Sequence, residues 1–332
     1  MPETIHIALS ANKDFTVPLG LCLHSILQHA APGTRYHFHI LDSGVNRPLL
    51  QLGGFTNITW YNVADKLRDL PTASRFPSAT YHRFLLPALI PQEIHRIIFL
   101  DCDTIVLRDL SDLYHTPLGG NPIAAVPWLV LGHYQHEYGQ HLRSFPARLG
   151  LPDDGTPYYY ASLLVMDLAA MRREGTTARL IETVRNTPAE KLIWLDQDAL
   201  NAALRGRITP LPLEYNIIPL FSTQLEAESP AARAAYAAPA IVHFAATKPN
   251  ILTGPRNQLE QNFFHYWQTT PWARHIPYPL ISLTRLPRPI AATLRALFRA
   301  LLPYPRILRA LGRLLAALRP QRANTLTKPD AL

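Results

Sequence analysis

The sequence predicts an α/β fold in which a mostly parallel sheet is covered by helices on both faces. Short apolar, β-branched runs alternate along the chain with segments of helical length. The composition is globular, with 48% hydrophobic and 17% charged residues, and 332 residues are enough to bury a full core. We find no internal repeat or low-complexity tract, and the prolines fall between the apolar runs.

The first half of the chain shows the alternation clearly. Three strands are predicted, at residues 5–10, 36–41 and 57–63. A helix is predicted at residues 16–29, with Pro18 in its first turn. In open sheets of this kind, ligands bind outside the carboxyl ends of the strands. The loop at residues 10–15, after the first strand, is therefore a predicted ligand wall.

The second half continues the pattern. Residues 78–89 have helical spacing around Arg83 and lead into an apolar run that ends in acidic residues. Further strands are predicted at residues 122–126, 158–168 and 240–244. Further helices are predicted at residues 169–186 and 195–204. The His- and Tyr-rich stretch at residues 128–142 has weak periodicity and is interpreted as a lid or variable loop.

Composition and motifs exclude several classes of protein. The two cysteines, Cys22 and Cys102, cannot form a disulfide framework and suit a reducing compartment. No apolar signal-peptide core is present at the amino terminus, and no window reaches the roughly 18 unbroken apolar residues of a membrane span. The glycine signatures of dinucleotide-binding dehydrogenases and phosphate-loop ATPases do not occur, nor does the G-x-S-x-G elbow of hydrolases.

The net charge of +8 comes from the end of the chain. Residues 280–332 contain ten Lys or Arg and one acid, a balance of +9, so the first 279 residues sum to about −1. Residues 290–302 and 307–318 place leucines on one side of a helical wheel and arginines on another. Basic amphipathic helices of this kind bind anionic membrane surfaces. The alternatives are helices packed on the core and, with no binding motif in support, nucleic-acid contact.

Asp101 and Asp103 close the apolar run that precedes them. In an extended segment, residues two apart project to the same side, so these carboxylates would point together and Cys102 would face away. Two carboxylates at the end of a buried strand repel, and their desolvation is costly unless a cation binds. This favours a divalent metal. For an isolated D-x-D, the alternative is a strand end with solvated, turn-forming acids.

Six blocks of sequence occur in a fixed order around this motif. They are IHIALSANKDF, SATYHRFLLPALIP, RIIFLDCDTIVLRDLSDLY, YYYASLLVMDLAAMR, LDQDALNAAL followed by PLEYNIIP, and IVHFAATKPN. Together they resemble the retaining glycosyltransferase family that includes bacterial lipopolysaccharide galactosyl- and glucosyltransferases and glycogenin. The resemblance covers roughly residues 5–265. It implies a GT-A fold, which is a Rossmann-like nucleotide-sugar-binding α/β domain, and a metal-dependent transfer that retains the anomeric configuration.

The resemblance implies a set of metal and donor contacts. Asp101, Asp103 and His243 look like the metal ligands, and two hard carboxylates with one imidazole favour Mn²⁺, with Mg²⁺ as the alternative. For a lone His243 the alternative is a satisfied core histidine. Lys248 looks like a pyrophosphate contact and Arg83 like a contact to the donor. An ion pair with a nearby acid is the alternative for Arg83.

The resemblance also implies donor contacts elsewhere in the chain. The loop after the first strand resembles the part of the family's site that contacts uracil and ribose, where an aromatic ring can stack on the base. Its residues are Ser10, Ala11, Asn12 and Phe15. Cys102 and Ala246 belong to the implied donor-binding segments.

Asp196 and Gln197 occupy the implied positions near the anomeric carbon. We expect Asp196 to orient donor hydroxyls and Gln197 to offer only its amide, which is a poor nucleophile. This favours same-face substitution over a covalent sugar–enzyme intermediate. The alternative for the acidic segment is an interaction between its carboxylates and the dipole of the helix that they begin.

The sequence departs from the family pattern at several implied site positions. Tyr160 stands where the family usually has asparagine, and Ser162 where it has glycine. Ala246 or Thr247 replaces a glycine near the pyrophosphate, where an added Cβ could impede close approach of the backbone. An acid often seen in the first loop is Asn12 here. These differences leave open which hexose is bound.

Together these features predict a hexosyltransferase that moves galactose or glucose from a UDP-sugar to a lipopolysaccharide or lipooligosaccharide acceptor. Residues 1–279 would form the catalytic GT-A domain. The basic amphipathic helices of residues 280–332 would hold it on the inner, cytoplasmic face of the membrane, with no nucleic-acid partner. The alternatives are a protein or polymer primer as acceptor, and a nucleotide-sugar-binding protein with impaired catalysis.

Overall fold

A seven-stranded mixed sheet forms the centre of the molecule. The computed structural model describes residues 3–72, 78–128, 137–219, 229–245, 248–249 and 255–274. The strands are β1 (Thr4–Ala11), β2 (Arg35–Asp42), β3 (Ile58–Asn62), β4 (Arg96–Asp101), β5 (Thr104–Val106), β6 (Ile123–Pro127), β7 (Tyr159–Asp167), β8 (Ile208–Pro210) and β9 (Ile241–His243). In the large sheet their order is β3-β2-β1-β4-β7-β6-β8, and β5 pairs with β9 in a separate two-stranded sheet.

The strand directions confirm the predicted class. β1 runs parallel to β2 and β4, β2 to β3, and β6 to β8. Only β7 reverses, and it pairs antiparallel with both of its neighbours. The sheet is therefore mostly parallel, and strands in this arrangement are joined through helical crossovers that cover its faces.

The helices lie on both faces of the sheet, as predicted. They are α1 (Thr16–Gln28), α2 (Arg47–Leu50), α3 (Leu86–Leu89), α4 (Ser111–Tyr114), α5 (Glu137–Leu149), α6 (Leu168–Arg173), α7 (Thr176–Asn186), α8 (Leu195–Ala203), α9 (Pro230–Ala237) and α10 (Gln258–Thr269). One apolar core packs β1 side chains such as Ile7 and Leu9 against α1 and α10. The other packs Ala8 and Phe99 against α3, α6, α7 and α8. We call these the α1-side core and the α8-side core.

Three predicted elements differ from the structure. The single helix predicted at residues 169–186 is divided into α6 and α7, because Gly175 adopts φ +64°, a left-handed conformation that ends a helix. The segment Ser78–Leu85 is a 3₁₀ helix, and only α3 after it is α-helical. In the predicted lid at residues 128–142, residues from 137 onward belong to α5, so the loop prediction was wrong there. Residues 129–136 lie outside the described part of the chain.

The last described segment is fixed to the α1 side of the sheet. Trp272 is fully buried, and its Nε1 donates to the Leu49 carbonyl at 3.0 Å. A Cβ added at Gly20 or Gly53 would lie 2.6 Å from a Trp272 ring atom, so both positions need glycine for this close packing. The predicted tail, residues 280–332, lies outside the described residues. Within the part of the chain that the structure describes, every helix is too short or too polar to cross a membrane.

Candidate active site

Asp101 and Asp103 meet at a tight turn. β4 ends at Asp101, and after a two-residue turn Thr104 begins β5. The Thr104 hydroxyl closes the turn by donating to the Asp101 carbonyl at 2.9 Å. The carboxylates are thus brought together by a turn and not, as predicted, by a continuous extended strand. Cys102 is 4% exposed and its side chain packs in the α1-side core.

The second sheet brings His243 to this turn. β9 pairs antiparallel with β5 so that His243 lies opposite Thr104, and the Phe244 N–H donates to the Asp103 carbonyl at 3.0 Å. His243 Nε2 lies 3.4 Å from Asp103 Oδ1 and 3.8 Å from Asp101 Oδ2. One potential ligand atom from each of the three residues lies within 4.8 Å of the others. The structure therefore brings together the three residues predicted as metal ligands.

The ring orientation of His243 is set by Asn216. The Asn216 Oδ1 atom lies 3.0 Å from His243 Nδ1 and also accepts a hydrogen bond from the Ser162 hydroxyl at 3.2 Å. Because an amide oxygen only accepts, Nδ1 carries a proton, and Nε2 is the nitrogen directed toward the carboxylates. Metal-binding histidines are oriented in this way by the group that their other nitrogen contacts. His243 is buried, as the core-histidine alternative requires, but its second nitrogen faces the two acids.

Arg83 links the acidic turn to the start of α8. Its Nη2 lies 3.0 Å from Asp101 Oδ1 and its Nε 3.1 Å from Asp196 Oδ2, and its Nη1 donates to the Ala161 carbonyl. The ion pair considered as an alternative for Arg83 is therefore present, while its contact with a donor stays a prediction. Arg83 and Asp196 are each 6% exposed.

Burial and neighbouring charges separate the pKa values of the three acids. Burial raises the pKa of Asp196 to about 6, although Arg83 opposes the shift. Burial also raises the pKa of Asp101, again against the effect of Arg83. Burial alone would raise the pKa of Asp103, but Lys248 and His243 bring it well below its ordinary value. Asp103 is therefore the acid held most firmly in its charged form.

Lys248 joins the acidic turn to the loop after β1. Its Nζ contacts Asp103 Oδ2, donates to the Phe244 carbonyl at 2.8 Å and lies 5.7 Å from the centre of the Phe15 ring. The predicted pyrophosphate contact and the predicted aromatic wall are thus neighbours. Ala246, another predicted donor contact, lies outside the described residues.

The loop after β1 is shaped by its own side chains. Asn12 Oδ1 accepts from the backbone N–H groups of Asp14 at 3.0 Å and Phe15 at 3.2 Å, which is an Asx turn. Ser10 Oγ lies 3.3 Å from His82 Nδ1, and Ala11, the last residue of β1, is 3% exposed. These predicted wall residues lie at the carboxyl end of β1, where parallel strands place ligand sites.

An irregularity in β7 provides two further contacts. The pairing between β6 and β7 shifts register between the pairs Ala125–Leu164 and Pro127–Tyr159. Within the shifted stretch, the Ala161 carbonyl accepts from Arg83 and its N–H donates to Gln197 Oε1 at 3.0 Å. Bulges of this kind often lie beside active sites. Sequence reasoning missed this contribution because the groups belong to the backbone.

Gln197 is held at both ends of its amide. Its Oε1 accepts a hydrogen bond from the Ala161 N–H, and its Nε2 donates to the Tyr158 hydroxyl at 3.2 Å. Gln197 follows Asp196 in the first turn of α8, so both residues predicted near the anomeric carbon adjoin the Arg83 ion pairs.

Comparison with known proteins identifies the family. Residues 6–249 match the family model described as glycosyl transferase family 8. The chain belongs to glycosyltransferase family 8. The resemblance found in the sequence is thereby confirmed, and the two acids, His243 and Lys248 all lie within the matched residues.

Relatives of this family 8 chain include proteins of several kinds. It is 27% identical over 284 residues to general stress protein A of Bacillus subtilis (strain 168), which covers 81% of this chain and 95% of the relative. It is 24% identical over 280 residues to lipopolysaccharide 1,3-galactosyltransferase of Salmonella typhimurium, and the alignment covers 82% of this chain and 80% of the relative. The structure of galactosyltransferase LgtC in complex with donor and acceptor sugar analogs superposes with a TM-score of 0.61 at 22% identity. The superposition covers 79% of this chain and 95% of LgtC. This likeness confirms the GT-A fold.

Proposed function

We propose that this family 8 glycosyltransferase is a retaining hexosyltransferase. In this proposal it moves galactose or glucose from a UDP-sugar to a lipopolysaccharide or lipooligosaccharide acceptor. The observation that carries the proposal is the convergence of Asp101, Asp103 and His243 beside Lys248. The printed names of relatives, such as lipopolysaccharide 1,3-galactosyltransferase, support the choice of acceptor class.

The residues at the acidic turn fit a divalent cation. Two carboxylates and an imidazole whose Nε2 faces them form a donor set that suits Mn²⁺, with Mg²⁺ as the alternative. Asp101, Asp103 and His243 would hold the ion. When bound, a divalent ion supplies Lewis-acid stabilisation of the negative charge that develops on a departing diphosphate.

The surrounding residues have separate roles in this proposal. Lys248 adds a positive charge beside Asp103, where a pyrophosphate would lie next to the acidic turn. Phe15, on the other side of Lys248, offers an aromatic surface to the base of the nucleotide. Arg83 fixes the positions of the Asp101 and Asp196 carboxylates, and so keeps the metal-binding turn and the start of α8 in one arrangement.

The geometry favours same-face substitution as the route to retention. The Gln197 amide is bound at both ends by the protein, and an amide is a poor nucleophile. Asp196 is paired with Arg83 in a buried position, which lowers the nucleophilicity of its carboxylate. Asp196 then positions donor hydroxyls and does not form a bond to the sugar. A covalent sugar adduct on Asp196, detected by mass spectrometry of the trapped enzyme, would contradict this route.

The test of the proposal is a donor panel with and without Mn²⁺. We expect the full chain to hydrolyse or transfer one of UDP-galactose and UDP-glucose in the presence of Mn²⁺, with products read by mass spectrometry. Asp103→Asn should lower turnover at least about 100-fold, because it removes a charged ligand from the set. The matched control is Asp153→Asn, at an exposed position outside the acidic turn.

Two results would change the assignment. Wild-type turnover in Asp103→Asn would remove the acidic turn from the chemistry. Tight binding of UDP-sugar with no turnover on any acceptor would favour a nucleotide-sugar-binding protein with impaired catalysis.

The same proposal places the enzyme at the cytoplasmic face of the inner membrane. Its support is the sequence of residues 280–332, with ten basic residues and leucines on a separate side of each predicted helix. A glycolipid acceptor would lie in that membrane, so a tail that binds anionic lipid would bring the catalytic domain to its substrate.

A further inference from the structure

Four large aromatic side chains cluster beside Gln197. Trp128 stacks on Tyr160 with ring centres 4.5 Å apart and planes at 15°. Trp194 lies 4.9 Å from Trp128, and Tyr158 contacts Trp128 edge-on at 6.2 Å. We call Trp128, Tyr158, Tyr160 and Trp194 the aromatic cluster. Trp128 follows β6, Tyr158 and Tyr160 come from β7 and its approach, and Trp194 precedes α8.

The aromatic cluster is only partly covered. Tyr158 is 7% exposed, but Trp128, Tyr160 and Trp194 each keep an intermediate fraction of their surface accessible. Aromatic surface that stays accessible within a rigid setting is typical of small-ligand sites, where apolar side chains line the wall and a few polar groups fix the orientation.

Charged and polar partners hold the aromatic cluster rigid. The Tyr158 hydroxyl donates to Asp198 Oδ1 at 2.6 Å, and Asp198 is fully buried. Asp198 Oδ2 accepts from Arg148 at 3.0 Å and from the Ile193 N–H at 2.7 Å. The backbone N–H of Trp128 donates to the Tyr158 carbonyl at 2.7 Å. A surface fixed before binding loses little conformational entropy when a ligand docks on it.

The aromatic cluster is continuous with the candidate active site. Gln197 Nε2 donates to the Tyr158 hydroxyl, and Gln197 Oε1 accepts a hydrogen bond from the Ala161 N–H. Ala161 follows Tyr160 directly, and its carbonyl accepts from Arg83, which pairs with Asp101. A chain of direct contacts therefore runs from the acidic turn through Arg83 and Gln197 to the aromatic rings.

We propose that the aromatic cluster is a carbohydrate subsite on which the C–H face of a pyranose ring stacks beside Gln197. A hexopyranose has one face of ring C–H groups and a rim of hydroxyls, and aromatic rings complement such a face through dispersion and weak C–H contacts. The inference rests on the proposed function, which supplies two hexoses of this chemistry, one on the donor and one on the acceptor. Tyr160 and Trp128 supply the stacking surface, and Tyr158 with Asp198 positions them.

The experiment measures sugar binding apart from turnover. The full chain is titrated with lactose and maltose as acceptor-type probes, with UDP-galactose and UDP-glucose as donor-type probes, and with UDP alone, each with Mn²⁺. Intrinsic tryptophan fluorescence and calorimetry report binding, and Trp128 is expected to change emission when a ring stacks on the cluster. Trp60→Phe is the matched control, because Trp60 lies on β3 at the opposite edge of the sheet.

Variants at Tyr160 separate stacking from a purely structural role. Tyr160→Ala should weaken binding of at least one sugar-bearing probe by about three- to tenfold and leave UDP binding unchanged. Tyr160→Phe keeps the ring and should restore that affinity. A loss confined to lactose or maltose assigns the subsite to the acceptor, and a loss confined to the UDP-hexoses assigns it to the donor.

Other results would overturn the proposal. Wild-type affinity for all four sugar probes in Tyr160→Ala would do so, as would an equal loss for UDP alone, which would indicate a structural role. Absence of lactose and maltose binding at millimolar concentration, together with equal wild-type affinity for UDP and both UDP-hexoses, would also overturn it. Failure of the proposed function looks different, because UDP would then not bind and Asp103→Asn would have no effect.

Discussion

Asn216 determines which nitrogen of His243 faces the carboxylates, although it contacts neither of them in the described hydrogen bonds. It accepts from His243 Nδ1 and from the Ser162 hydroxyl. Nε2 is therefore the nitrogen directed at Asp103. The same amide oxygen ties the β7 irregularity to the acidic turn, since Ser162 lies in the irregular stretch.

Replacement of Asn216 should weaken metal binding. In Asn216→Ala, His243 loses the acceptor that fixes its tautomer and ring orientation, and loss of such a partner typically costs 10- to 100-fold in metal affinity. We expect a decrease of about tenfold or more in Mn²⁺ affinity, measured by electron paramagnetic resonance of the free ion. Asn62→Ala, at an exposed position at the end of β3, serves as the control. Equal Mn²⁺ affinity in both variants would remove Asn216 from this role.

The start of α8 is the element that joins structure and chemistry. Its first turn carries Asp196 and Gln197 toward the site and Asp198 toward the interior. Leu195, the first residue, has φ +24°, which an L residue rarely adopts. The two acids differ in role, since Asp196 pairs with Arg83 whereas Asp198 binds Tyr158, Arg148 and two backbone N–H groups.

Asp198→Ala should destabilise the fold more than the replacement of an exposed acid by alanine. The change leaves Arg148, whose side chain is 12% exposed, without its buried carboxylate, and it removes the acceptor of the Tyr158 hydroxyl. Breaking a buried ion pair on one side typically costs about 3–5 kcal/mol. Urea unfolding should show a loss of this order, against a change within about 0.5 kcal/mol for Asp153→Ala. A loss below about 1 kcal/mol for Asp198→Ala would show that the pair is dispensable.

One face of the strands β1 to β3 carries a histidine cluster. His6 Nδ1 lies 3.0 Å from His39 Nε2, His39 Nδ1 lies 2.9 Å from the Tyr61 hydroxyl, and the His37 and His39 ring centres are 4.9 Å apart. Burial, with smaller contributions from the neighbouring His6 and His37, lowers the pKa of His39 to about 3. His39 is therefore neutral in the folded protein at pH values where it is protonated in the unfolded chain.

This cluster should make the fold sensitive to acid. His39 has a lower pKa in the folded than in the unfolded state, so its contribution to stability is present above pH 6.5 and is lost as the pH falls toward 3. The wild type should lose stability more steeply over this range than His39→Gln, by at most about 1.4 kcal/mol per pH unit. Urea unfolding at several pH values measures the difference. His265→Gln, at an exposed position of α10, should follow the wild type, and parallel curves for all three proteins would contradict the prediction.

At the scale of the whole molecule, most strands were predictable because each is a short apolar run bounded by turn residues, whereas the three-residue strand β8 was not predicted. Asp101, Asp103 and Arg83 could be found because they adjoin such runs. His243 and Lys248 needed the family resemblance, since the pairing of β9 with β5 joins distant parts of the chain. Asn216 and the aromatic cluster were missed for the same reason, because the aromatic cluster comes from three segments that meet only when the sheet forms.

The basic tail gives a prediction about the full chain. Replacement of Arg306, Arg309 and Arg313 by Glu should greatly reduce binding to anionic vesicles, because each basic residue near such a surface contributes about 1 kcal/mol. Co-sedimentation with phosphatidylglycerol vesicles measures this, and neutral phosphatidylcholine vesicles are the control. Unchanged binding of the triple variant, or of a chain ending at residue 279, would show that the tail does not hold the protein on the membrane.

The irregular stretch of β7 also bears on how this site can diverge. Arg83 and Gln197 are both fixed by the main chain of Ala161, through its carbonyl and its N–H. Hydrogen bonds made by backbone groups do not depend on the identity of the neighbouring side chains. At residue 161, only substitution by proline would remove the N–H donor. Tyr160 and Ser162 can therefore vary and remodel the wall of the pocket, while the arginine and the glutamine keep their anchors. A fold of this kind can change the sugar that it accepts without rebuilding the framework that holds its charges.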